Sequence, residues 1–455
     1  MRRRPVNRDL KPGVCRVLAG ALLAACSTAS PAAAQPARGD AAAAQTPQEA
    51  AASSPQAQTR RPPTPLGDRG DRPPSIVQPE RLADFTDDLG ALRVTVQGQL
   101  SYVALFADDQ QDAKFRVGDN DAAPSLINTT LLAPLSGNPE DLDRDDAWKL
   151  GFVYEVNYPL NAADLMTQDD PLVSPRGVDH RKIGGSLHMG SYGRFAFGKD
   201  STASDGTAAL SFSGTHAAGS ALMNQLGGGF LFAADRPGDD TLDPDGDGLT
   251  NISIASAFPS NQGTRLTSLR YDTPQVGGFR FAAAAADIQI YDASVHWVGV
   301  GPDGPNRLRG WRHADRIQNL EAVLAYRIDR GTDIDELVGS GSILLKSGWN
   351  LTLSGGLQNS RTSSTSGPDD GGHIYTKIGY RNRLISQGET ALSADLYAGW
   401  NLLENVDRSY AVGLQVAQAL DGTAVEIFAA GRHLWLEGVE VRDITLISTG
   451  FRVRF

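Results

Sequence analysis

Residues 243–251 read DPDGDGLTN, with carboxylates at alternate positions (Asp243, Asp245, Asp247), Gly248 to permit a sharp turn, and Asn251 to close the set. Hard oxygen donors at this spacing wrap calcium in exported proteins, so the stretch predicts a weak structural Ca²⁺ that would rigidify its loop. The bidentate glutamate of an EF-hand is missing, because Ile254 stands where it would fall; a solvated acidic loop tip is the competing reading. No other cofactor is required. The seven histidines, His180, His188, His216, His296, His313, His373 and His433, are scattered without metal-ligand spacing. Neither a G-x-S-x-G elbow nor an H-E-x-x-H motif occurs, which predicts a protein that is not an enzyme, although a Ser/His pair brought together by folding stays open.

The elements that must position these residues begin after an export signal. Arg2, Arg3, Arg4, Arg8 and Lys11 precede an apolar stretch at residues 17–25 and then small residues, so residues 1–34 read as a signal peptide. Ala32-Ala33-Ala34 before Gln35 suits ordinary signal peptidase, while Leu23-Ala24-Ala25-Cys26 resembles a lipoprotein box. Cys15 and Cys26 both fall in this region, leaving no disulfide framework. The whole chain carries a formal charge of −11, and removing the basic leader makes it more acidic, so nucleic acid is a poor partner. Residues 35–90 are rich in Ala, Pro, Gln and Ser with little to bury, and read as a disordered periplasmic tether.

From residue 91 to 455 the pattern has period two. In RVTVQGQLSY, Val94, Val96, Gly98, Leu100 and Tyr102 alternate with Arg93, Thr95, Gln97, Gln99 and Ser101. No stretch supplies the roughly 18 uninterrupted apolar residues of a membrane helix. Alternation also suits a soluble sandwich, but export, sixteen strand-like segments, and short connections at Ser191-Tyr192-Gly193, Thr273-Pro274-Gln275, Ser347-Gly348 and Leu420-Asp421-Gly422 favour a transmembrane β-barrel of 16 antiparallel strands. The last strand must then pair with the first. Phe451 and Phe455 fall on its apolar side and are expected at the membrane interface, as assembly features.

Several stretches resemble the general bacterial porins, particularly the alphaproteobacterial type. RVTVQGQLSYVALFADD (93–109) is similar to that family's first strand, GDNDAAPS (118–125) to the entry of its second, GRFAFGKDSTASDGTAALSFSGT (193–215) to the fifth strand and third loop, and TSLRYDTPQVGGFRF (267–281) to the sixth and seventh strands. The resemblance implies an outer-membrane homotrimer in a Gram-negative bacterium, embedded in lipid. Its third loop would fold inward and narrow a water-filled passage for small hydrophilic solutes and ions, with basic residues on the wall facing acidic residues on the loop.

Arg270 is the leading basic candidate, because Leu269 and Tyr271 take the lipid side; Lys199, at the end of the fifth strand, faces the passage only if the chain twists at Gly198, and Arg194 is the alternative of opposite phase. The family's basic positions on strand two fall near Leu126 and Asn128, so part of the basic cluster is absent. The third loop supplies Asp205, Asp235, Asp239 and Asp240 around apolar LGGGFLF (226–232), which is expected to pack on the inner wall. An acidic excess there predicts mild cation preference. Rival readings are a substrate-specific channel with Tyr375 and Tyr397 as a sugar slide, a plugged barrel anchoring the envelope, and an outer-membrane hydrolase.

Overall fold

The computed structural model describes residues 85–172, 177–236, 246–301, 307–308, 310–360 and 370–455. Its strands are β1 (Phe85–Leu89), β2 (Leu92–Asp108), β3 (Ala113–Asp119), β4 (Leu126–Pro134), β5 (Trp148–Asn157), β6 (Asp179–Met189), β7 (Arg194–Ser201), β8 (Leu231–Ala233), β9 (Leu249–Ser253) and β10 (Arg265–Asp272). They continue as β11 (Phe279–Ala286), β12 (Ile290–Val300), β13 (Ile317–Asp329), β14 (Ile334–Leu345), β15 (Trp349–Ser360), β16 (Asp370–Ile385), β17 (Gly388–Leu403), β18 (Val406–Ala419), β19 (Val425–Glu437) and β20 (Ile444–Arg454). The short helix α1 (Ile254–Ala257) completes the set used here.

All except β8 and β9 belong to one sheet of 18 strands. Neighbours are antiparallel, and β20 returns to β2 with Gln99 opposite Arg454 and Asp108 opposite Thr445, which closes the cylinder. β3 and β4 pair in turn with the same edge of β2 and share one position, while β1 only extends the rim. The wall is therefore a closed barrel of sixteen antiparallel staves. Closure satisfies each stave's backbone groups on both sides, as a sheet in hydrocarbon requires. Phe85–Leu89, assigned from sequence to the tether, instead pairs with residues 92–96 of β2, so the ordered sheet starts before residue 91.

Period two carries directly into the wall. Every stave presents at least one large apolar residue outward, among them Leu100 (48% exposed), Leu269 (55%), Leu396 (60%) and Phe451 (42%). Such an apolar girdle is far larger than the patches a soluble monomer exposes. One rim, called the terminal rim, carries the connections expected at 191–193, 273–275, 347–348 and 420–422; Gly348 there has φ +92, a conformation that disfavours side chains. Phe455 is held on that rim by reciprocal bonds with Gly98 (N–H to O 3.0 Å, and 2.7 Å in return). Its ring lies over Gly98, where a Cβ would meet ring carbon at 2.7 Å. Phe451 packs against Tyr102 at 6.0 Å between ring centroids.

Candidate functional site: the barrel interior

The inward face of half the wall is a ladder of opposite charges. Antiparallel register sets Glu155 opposite Lys182, Arg194 opposite Asp272, and Arg327 opposite both Asp292 and Glu336. Across neighbouring staves the ion pairs are Arg181–Glu155 (2.9 Å), Lys182–Asp200 (3.5 Å), Arg194–Asp272 (3.8 Å) and Arg327–Glu336 (2.5 Å), and within single staves Arg194–Asp200 (3.5 Å), Arg270–Asp272 (2.7 Å) and Arg327–Asp329 (3.0 Å). Direct cross-strand neighbours of opposite sign stabilise a sheet while keeping its bore polar.

The third loop, residues 202–264, is fastened to the wall from β12 round to β17. Asp292 of β12 accepts from Ala203 and Ser204 N–H, Ser342 of β14 accepts from Phe212 N–H at 2.9 Å, and Ser354 of β15 donates to Ala208 O at 2.8 Å. Further round, Thr215 meets Ser393 of β17 at 2.7 Å and Lys377 of β16 donates to Gly219 O at 2.7 Å. Behind these contacts Asp395 Oδ2 accepts from Tyr375 OH (2.9 Å), Gln415 Nε2 (2.7 Å) and Arg432 Nη2 (2.9 Å). Asn120, where β3 gives way to β4, donates to Ala217 O at 2.9 Å and fixes the far side of the loop.

Beyond this ring of bonds the interior is apolar. Leu226, Phe230 and Phe232 of LGGGFLF, with Ile254 of α1 and Phe258, are buried against Leu105, Leu434, Ile444 and Leu446, all inward on β2, β19 and β20. Toward the terminal rim the same staves turn charged, with Arg452 of β20 paired to Glu426 of β19 at 2.8 Å on the inner face.

The expected constriction residues separate under this geometry. Arg270 points inward as parity requires, but its guanidinium is committed to Asp272 and to the Ser201 and Thr202 carbonyls (3.1 and 2.9 Å), where it ties down the start of the loop. Arg194 also faces inward, in the ladder. Lys199 does not: register runs unbroken through Gly198, placing Lys199 beside outward Ile183 and Thr267, with Asp179 at 3.6 Å. Asp205 is buried, 3.9 Å from Arg265. Asp235 is exposed at the loop rim, its N–H on Glu440 O. Asp239, Asp240, Asp243 and Asp245 lie outside the described residues; Asp247 Oδ1 accepts from Leu249 N–H at 2.8 Å, and Asn251 is exposed. Tyr375 and Tyr397 are no slide, since both are buried, Tyr397 between Phe258 and a stacked His373 at 5.3 Å each.

Other inward charges escaped the sequence reading. Arg181 turns inward beside Lys182 because a register shift at Val156 breaks the alternation. Asp121, in the interruption of the second stave, has its carboxyl pushed up by burial against the opposing pull of Arg181 and Arg265. Parity alone would have found Lys182 and Asp395, but not the bulge or the interruption. Ser186 and His188 do approach, at 3.2 Å, yet among the described residues no carboxylate bonds the ring to orient it as a base. His216, in the loop, is held neutral: burial first, then Arg452, Lys377 and Arg454, push its pKa down to about 3.

Fold and interior define the class: a closed sixteen-stave barrel with an apolar exterior and a charged, loop-braced bore. No protein-family model and no curated protein matches the chain. Solved structures that resemble it include an anion-selective porin from Comamonas acidovorans (15% identity, TM-score 0.48, 80% of this chain and all of that one) and OmpF of Salmonella typhi in complex with daunomycin (7%, 0.49, 82% and all). A mutant of the Rh. blastica porin aligns over 80% of this chain and all of its own at 10% identity and TM-score 0.40. Such likenesses are too distant to carry function, and the case rests on this chain's own residues.

Proposed function

We propose that the protein is an outer-membrane porin: a barrel, trimeric in the membrane, through which small hydrophilic solutes and ions diffuse passively past the third loop. One observation carries this reading. A polar ladder of paired charges faces the bore on the staves from β5 to β14, while apolar side chains girdle the outside. Ion pairs along a wall cost desolvation in a dry core and are tolerated beside water. The acidic third loop favours cations at the mouth.

Planar-bilayer recording under a salt gradient tests the proposal. Steady conductance with modest cation selectivity is expected, together with a trimeric mass in detergent. A silent protein would favour the second reading, a plugged barrel anchoring the envelope, which the buried packing of Phe230, Phe232 and Phe258 inside the cylinder also supports.

A further inference from the structure

The terminal rim is electrically divided. The connection between β4 and β5, residues 135–147, carries Glu140, Asp141, Asp143, Asp145 and Asp146 against Arg144. On the far side of the cylinder, by stave count, the connections after β12 and β14 expose Arg307, Arg312 and Arg316 and bring up Lys346, whose N–H bonds Arg316 O at 2.9 Å. Asp315 is the one acidic residue among the described positions of those two connections. Arg312, Arg316 and Lys346 make no ion pair with a described residue.

This basic segment is also seated on the lipid side. Leu308 and Ala314 are buried against Trp297 and Leu320. Both of those point outward, Trp297 by its register opposite Phe279 and Leu320 by following inward Asn319 and preceding inward Glu321. Trp311 stands 72% exposed beside the arginines, and Trp349, 51% exposed, packs tilted against Tyr380 at 5.1 Å between ring centroids one connection further on. Indole rings with adjacent cations, footed on the outer surface of a spanning wall, match the headgroup layer of a bilayer.

We infer that this arc of the terminal rim is a docking surface for anionic phospholipid headgroups, bound by Arg307, Arg312, Arg316 and Lys346 with Trp311 and Trp349 at the ester level. The inference rests on the barrel spanning a membrane. Charge complementarity selects the occupant: Arg312, Arg316 and Lys346, with no ion-pair partner among the described residues, gather on a rim arc whose apolar footing faces lipid. The acidic arc opposite repels the same headgroups, so bound lipid orients the barrel laterally as well as holding its depth.

The experiment uses the full chain in nanodiscs of phosphatidylglycerol or phosphatidylcholine, with native mass spectrometry counting lipids retained after release. The wild type should retain phosphatidylglycerol preferentially. Changing Arg307, Arg312, Arg316 and Lys346 together to Gln should reduce that preference by about tenfold or more, since basic residues at an anionic surface each add to the attraction. Trp311→Ala, which leaves the charges, should weaken retention of both lipids. A control altering Arg330 and Arg442 on the other rim to Gln should leave the preference intact. Equal retention of both lipids by the wild type, or an unchanged preference in the fourfold variant, overturns the inference. So does a fourfold variant that keeps its lipids but changes oligomeric state, which would make the arc a contact between copies. Failure of the wild type to enter nanodiscs would instead overturn the membrane reading itself.

Discussion

At the scale of single residues the interior is organised by pairing. Asp395 is buried with its Oδ2 shared among Tyr375, Gln415 and Arg432, and the side chain of Arg432 is only 7% exposed. Removing one partner of a buried pair leaves the other charge stranded, at a cost of about 3–5 kcal/mol. Asp395→Ala should therefore lower the denaturation midpoint sharply and make the third loop protease-sensitive; Asp395→Asn, which keeps an acceptor, should do less. Arg270→Ala removes the clamp on the Ser201 and Thr202 carbonyls. It should raise single-channel conductance, make it noisier and shift selectivity toward cations. An unaltered trace would show that the clamp does not limit passage.

Among the elements, the third loop determines the bore, and its docking depends on pH in a direction that can be worked out. His216 takes up a proton at an ordinary 6.5 when free but only at about 3 when docked, because burial and the cations Arg452, Lys377 and Arg454 oppose its charge. The undocked loop binds more protons between those values, so docking is strongest above about pH 6.5 and weakens as pH falls toward 3. Limited proteolysis of the loop should accelerate on moving from pH 7 to pH 4, and His216→Asn should flatten that dependence. If the wild-type rate is the same at both values, His216 does not report on docking.

For the whole molecule, closure depends on the contact between the first and last staves. A side chain at Gly98 would meet Leu126 O at 2.5 Å and the Phe455 ring at 2.7 Å. Gly98→Leu should abolish the heat-modifiable electrophoretic shift of a folded barrel, whereas Phe455→Ala should slow assembly and leave assembled protein stable. Much of this architecture was legible in the chain: Leu269, Arg270 and Tyr271 take the sides their alternation predicts, and sixteen such segments became sixteen staves, because a strand's side-chain period is two and is enforced locally by the backbone. Lys199 shows the limit in one direction, since a suspected twist at Gly198 left the register intact. Arg181 shows it in the other, since a bulge that no residue type announces turned it inward. The sequence by itself determined the barrel, its stave count and which face of each stave meets lipid. Only the tertiary structure decided which inward charges are neutralised, that Tyr375 and Tyr397 are covered, and that an apolar loop packs inside the barrel, because those outcomes depend on which staves lie side by side and on contacts between the loop and staves far from it in sequence.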